Sequence, residues 1–214
     1  MNVFEYGNNW LIEDQLDNEL LKYIKNFFDK NLEFLYNDKK VYSTTGDNVE
    51  QYWIEKRGEK PVYYKNKEYE DIERRFRKEI LGRLKAAHFA KDDNIQLHQS
   101  TAWTIIGEEG SYHKIHTHCN GLARGISVVL YLNVPEIKDE SNYLFLVLHT
   151  DPSSEFLRSS CDNIIHVKPE VGKVLIFPFN IPHGTYPQTK GIRQTFNVDY
   201  IFIESESSHS LNYV

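Results

Sequence analysis

The residues with the most chemistry in them crowd into one short stretch, Tyr112-His113-Lys114-Ile115-His116-Thr117-His118-Cys119. His116 and His118 stand two apart. On an extended backbone such residues share a face, so both imidazoles point the same way. Two imidazoles on one face can share a metal ion and leave its other positions open. On the same strand His113 and Cys119 would face away. Cys119 has no CxxC partner, which argues against a closed structural zinc site. A further ligand must come from elsewhere, and His183 is the natural candidate. It lies between Pro182 and Gly184 at the end of Phe177-Pro178-Phe179-Asn180-Ile181-Pro182-His183, and Arg193 follows downstream. A lone histidine is more often a surface or hydrogen-bonded residue than a ligand, and a lone arginine is by default half of a surface ion pair. It is the spacing of the His116/His118 pair that favours a metal.

Strands and helices must hold these pieces together. Residues 14–30 repeat apolar side chains at helical spacing (Leu16, Leu20, Ile24, Phe27, Phe28), with Asp14 as the expected N-cap. Residues 68–89 do the same through Ile72, Phe76, Ile80, Leu84 and Ala87, and Glu73 to Arg77 is a favourable i,i+4 pair. The run Arg74-Arg75-Phe76-Arg77-Lys78 is interleaved with acids, which suits a solvated face. Residues 31–67 are tyrosine-rich and punctuated by Gly46, Gly58 and Pro61, so they read as irregular: a connector, or part of a substrate lid.

From residue 95 the period changes to two. Ile95–Gln99 and Ala102–Ile106 alternate, and Gly107 and Gly110 are expected to end that strand. Further strand-like runs cover 125–132, 143–148, 164–167, 173–177 and 195–203. Short strands with turn signals between them and no helix-length gaps predict a sandwich or jelly roll. The expected architecture is mostly β with N-terminal helices, a single domain over 1–214. Residues 1–94 form a helical and irregular part packed on a core at 95–205. Two helices alone cannot bury their apolar stripes, so no boundary is placed near residue 90.

Composition excludes several classes. A net charge of −6 argues against nucleic acid as a main partner. No apolar run is long enough to span a membrane, and the N-terminus lacks the pattern of a signal peptide. Two cysteines, Cys119 and Cys161, give no disulfide framework and suit a reducing cytoplasm.

Trp103, Gly110, His116-Thr117-His118, Ser127, Leu130-Tyr131-Leu132, Gly172 through Pro178, Pro182-His183 and Arg193-Gln194-Thr195 fall in a familiar order. The chain here resembles the iron(II)/2-oxoglutarate-dependent oxygenases, in particular small bacterial and phage members related to prolyl hydroxylases. The resemblance covers roughly residues 100–203 and is a set of spaced motifs. It implies a double-stranded β-helix, Fe(II) as cofactor, 2-oxoglutarate as cosubstrate, O₂, and hydroxylation of a small-molecule or peptide substrate. Carried over residue by residue, His116 is the first metal ligand and His183 the distal one. The family pattern has a carboxylate where this chain has His118, so the third ligand is His118, Asp151 or another residue. Arg193 would bind the distal carboxylate of 2-oxoglutarate through its planar fork. Thr195, on the same face, could donate to the same oxygens, and Tyr131 could add a hydroxyl or simply pack. Trp103 reads as core or pocket wall. No side chain is assigned as a general acid or base.

A literal His-x-Asp also occurs at His149-Thr150-Asp151. It lies much closer to His183 than His116 does, whereas a jelly roll needs several strands between its ligand positions. Asp151 also precedes Pro152, a turn start. Two other readings stand beside the oxygenase: a three-histidine, cupin-like dioxygenase without 2-oxoglutarate, and a jelly-roll binding module without catalysis. Specificity is expected to reside in 31–67 and 135–160.

Overall fold

Period-two alternation, with both faces apolar over much of its length, builds one large antiparallel sheet. The computed structural model describes residues 1–6, 8–38, 40–42, 46–55, 66–90, 95–118, 124–137, 143–148 and 164–204. In chain order the elements are β1 (Asn2–Tyr6), β2 (Asn9–Gln15), α1 (Asn18–Asp38), β3 (Lys40–Tyr42), β4 (Gly46–Glu55), α2 (Lys67–Ala86), β5 (Ile95–His113), β6 (Gly125–Asn133), β7 (Leu144–Val147), β8 (Ile164–Val167), β9 (Lys173–Pro178), β10 (His183–Thr185) and β11 (Arg193–Glu204). The major sheet has the order β1-β2-β9-β6-β11-β5-β4-β3, and a minor sheet has the order β10-β7-β8. This is the mostly β, jelly-roll-like architecture expected from the strand pattern.

The alternation separates two cores. On β9, Val174 and Ile176 join the cluster under the helices, whereas Leu175 and Phe177 join the cluster between the sheets. On β6, Val128, Leu130 and Leu132 face the helices and Tyr131 faces inward. Strands buried on both faces read as continuous apolar runs. The helices cover the outer face: α1 buries Leu20, Ile24, Phe27 and Phe28, and α2 buries Ile72, Phe76, Ile80 and Leu84. The Glu73–Arg77 pair forms at 3.4 Å. The Asn66 side chain accepts hydrogen bonds from the backbone N–H groups of Glu68 and Tyr69 and caps α2.

Several expectations are corrected. The first helix begins at Asn18, and its cap is Asp17, whose Oδ1 accepts from the Glu19 and Leu20 N–H groups at 2.9 and 3.1 Å. Asp14 lies in β2 and pairs with Arg83 at 2.9 Å. The part before residue 95 is not only helical and irregular, since β1–β4 all join the major sheet. β1 and β3 are the edges of that sheet, and β2 and β4, each paired on both flanks, carry polar residues among their apolar ones. Gly107 and Gly110 do not end β5, which runs on to His113. Gly110 takes a positive φ of 79°, which glycine adopts without strain, and its N–H donates to the Gln188 carbonyl at 2.8 Å. The ladder with β11 ends at Gly107, and after a register shift Tyr112 and His113 pair again with Asp47 and Gly46 of β4.

Candidate active site

The end of β5 leads to the histidines. Past His113 the chain turns at Lys114-Ile115, and His116 then lies directly opposite His183. The His116 N–H donates to the His183 carbonyl and the His183 N–H to the His116 carbonyl, each at 3.0 Å. Two residues on, the His118 N–H donates to the Phe179 carbonyl at 3.0 Å. The segment is thus extended and fastened to the strand end that carries His183. The rings of His116 and His118 stack with centroids 5.3 Å apart and 22° between planes. The His183 ring lies 4.4 Å from that of His116 and 5.0 Å from that of His118. One ligand nitrogen from each of the three lies within 4.8 Å of the others.

Each imidazole is oriented from behind. His116 Nδ1 lies 2.7 Å from the Lys114 carbonyl, and His183 Nδ1 lies 2.9 Å from the Ile181 carbonyl. His118 Nδ1 lies 2.9 and 3.1 Å from the two Asp199 oxygens and 2.7 Å from Ser127 Oγ. Carbonyl and carboxylate oxygens only accept, so Nδ1 carries the proton in all three rings. The Nε2 lone pairs are left to converge, which is the usual outer-shell arrangement around a metal. Burial, and then the neighbouring imidazoles, hold the His183 pKa well below the ordinary value. Burial likewise lowers that of His116. Neutral imidazoles are the form that binds a cation, so the donor set fits a first-row divalent metal.

His113 does not face away. Its ring centroid lies 5.9 Å from that of His116, and it lines the same cavity, because the bend at 114–115 breaks strand alternation. His149, Asp151 and Cys119 lie outside the described residues.

The cavity has a volume of about 520 Å³. Its wall includes the three histidines and one face of the first half of β11: Arg193, Thr195, Asn197 and Asp199. Arg193 is 4% exposed, and burial lowers its pKa. Its Nη2 donates to Thr185 Oγ1 at 3.3 Å. Thr195 lies opposite Tyr131 in the β11–β6 register, and its Oγ1 accepts from Asn197 Nδ2 at 2.9 Å. Tyr131 is 1% exposed, and burial pushes its pKa up to about 12. Its hydroxyl has no hydrogen-bond partner among the described residues. A buried guanidinium and a phenol without a partner among the described residues stand in one wall, and such a pair could receive an acid group. Trp53 and Trp103 pair across β4 and β5, centroids 5.5 Å apart, and extend the wall as far as His118.

Sequence reasoning missed Asp199, Asn197, Gln51 and Trp53. A signal for the first two was present. Positions 193, 195, 197 and 199 are all polar, and they alternate with Phe196, Val198 and Tyr200, which belong to the core. A polar face on a central strand is either solvated or a site, and here Arg193, Thr195 and Asn197 are all buried.

A 2OG-Fe(II) oxygenase family model matches residues 101–199, from β5 to β11. That segment belongs to the 2OG-Fe(II) oxygenases. Solved structures agree at the level of fold. A prolyl-4-hydroxylase from Pseudomonas putida is 14% identical with a TM-score of 0.60, covering 91% of this chain and 92% of its own. The viral collagen prolyl hydroxylase of Paramecium bursaria Chlorella virus-1, solved with 2OG, is 14% identical with a TM-score of 0.53 (90% and 95%). HygX from Streptomyces hygroscopicus, with nickel and 2-oxoglutarate bound, is 13% identical with a TM-score of 0.55 (89% and 82%). No curated protein matches the chain by sequence. The oxygenase uses Fe(II) and 2-oxoglutarate, and the matched segment contains every residue of the histidine cluster together with Tyr131 and Arg193. No described helix is long and apolar enough to cross a membrane.

Proposed function

We propose that His116, His118 and His183 hold the Fe(II) of this oxygenase through Nε2, and that Arg193, Thr195 and Tyr131 hold 2-oxoglutarate beside it. The observation that carries the reading is the convergence of three Nδ1-tethered imidazoles in a cavity whose wall also holds a buried guanidinium. When bound, the iron would supply O₂ activation coupled to decarboxylation of 2-oxoglutarate to succinate and CO₂, with one oxygen atom going to succinate and the other to a substrate C–H bond to give an alcohol. The chain's own work is to bind and orient. Arg193 takes the distal carboxylate by a charge-assisted fork, the Tyr131 and Thr195 hydroxyls donate to the same group, and the apolar wall keeps water away. The substrate is an amino acid, a peptide or a small metabolite, bound against Trp53, Trp103 and Gln51. A cavity of about 520 Å³ suits a small molecule or one side chain. Residues 1–214 act as one unit, with the part before residue 95 supplying strands to the sheet that carries the site.

Anaerobic addition of Fe(II) and 2-oxoglutarate tests this. A weak visible charge-transfer band is expected, and its absence at saturating ligand would overturn the reading. Changing Arg193 to Ala should raise the 2-oxoglutarate KM on the order of a hundredfold, the usual cost of truncating a buried hydrogen-bonded charge pair. An unchanged KM would remove Arg193 from the site.

A further inference from the structure

The three imidazoles are not wired alike. His116 and His183 present Nδ1 to neutral backbone carbonyls, whereas His118 presents it to a carboxylate. Among the described residues that line the cavity, Asp199 is the one acidic side chain. It spends both oxygens on His118 Nδ1, at 2.9 and 3.1 Å. Ser127 lies opposite Asp199 in the β6–β11 register. Its hydroxyl donates to Asp199 Oδ1 at 2.9 Å, and its oxygen lies 2.7 Å from the same His118 nitrogen. The carboxylate is therefore pinned on both sides, at a position set by two central strands. Three neutral imidazoles leave a dication's charge uncompensated by the protein, and this is the nearest negative charge that the described wall provides.

We propose that Asp199 is a positioning residue that places its negative charge on the metal centre through His118. The cavity thus has an outer-shell carboxylate in place of a directly coordinating one, and His118 is the strongest donor of the three. This rests on the three-histidine site proposed above. A carboxylate behind a ligand imidazole fixes its tautomer and raises its basicity. Asn at position 199 keeps an acceptor for the Nδ1 proton and removes only the charge, whereas Ala removes both.

The test uses the full-length protein stripped of metal and titrated calorimetrically with Ni(II), which imidazole binds well and air does not oxidise. Metal-free D199N should unfold within a few degrees of wild type and bind Ni(II) about 10- to 100-fold more weakly. D199A should be at least as weak. In an H118A background, D199N should have no further effect, since the double-mutant cycle isolates the path through the imidazole. D199N binding like wild type while D199A is weak would mean orientation without charge, and would overturn the proposal. An equal D199N loss with and without His118 would also overturn it. A wild-type protein that takes up no Ni(II) would instead overturn the histidine site itself, and this inference with it.

Discussion

Tyr131 and Arg193 show how much a single buried atom can carry. The Tyr131 hydroxyl is enclosed and has no hydrogen-bond partner among the described residues, which costs the fold about 1–3 kcal/mol unless a ligand satisfies it. Changing Tyr131 to Phe should therefore leave the ligand-free protein as stable or slightly more so. The same change should weaken 2-oxoglutarate binding about tenfold, the worth of one hydrogen bond to a charged group. Thermal unfolding with and without 2-oxoglutarate checks both halves. A drop in ligand-free stability would mean that the phenol has a structural partner after all. The imidazoles carry the complementary lesson. Their identities suggested a metal, but which nitrogen keeps its proton is decided by the carbonyls of Lys114 and Ile181 and by Asp199.

At the level of elements, the site depends on how closely β10 approaches the end of β5. Gly184 follows His183, and a Cβ there would lie 2.8 Å from the His113 carbonyl oxygen and 2.7 Å from the Phe145 ring. The carbonyl belongs to backbone and cannot swing away. Changing Gly184 to Ala should cost about 1–3 kcal/mol by overpacking. It should also displace His183 and weaken metal binding. An alanine variant with unchanged unfolding temperature and unchanged metal affinity would show that the two strands are not in such close contact. The helices were legible because their stripes repeat over about three to four turns, β6 and β9 because apolar runs mark buried strands, and β5 and β11 because they alternate. β1–β4 were not legible, since they are short or mix polar with apolar residues, and their partners β9 and β5 lie far along the chain. The passage of β5 through two glycines was hidden for a different reason: the residue that meets Gly110 there, Gln188, is distant in sequence.

Across the whole molecule, several basic groups share one buried wall, and this sets how stability responds to acid. Burial, then His116, Arg193 and His118, lower the His113 pKa to about 3, and His116 and His183 move the same way. In the unfolded chain these groups titrate at about 6.5. Below that pH the unfolded state binds protons that the fold refuses, so their stabilisation is present above about 6.5 and lost as pH falls towards 3. Urea unfolding of the metal-free protein should show a midpoint that drops steadily between pH 7 and 4. His113→Asn should flatten that slope. A midpoint independent of pH across the window would mean that these imidazoles are hydrated in the fold.

The sequence by itself determined the chemistry available: which side chains could ligate, that His116 and His118 would share a face, that apolar runs would stack into a roll, and that Arg193 stood in strand phase with Thr195. These follow from local geometry, since a strand's alternation needs no knowledge of its neighbours. Only the tertiary structure decided which distant groups meet. The His116–His183 bridge and the pairing that sets Ser127 and Asp199 behind His118 both join residues far apart in the chain. Such contacts depend on sheet register, and register is fixed by packing of the whole core rather than by any one segment.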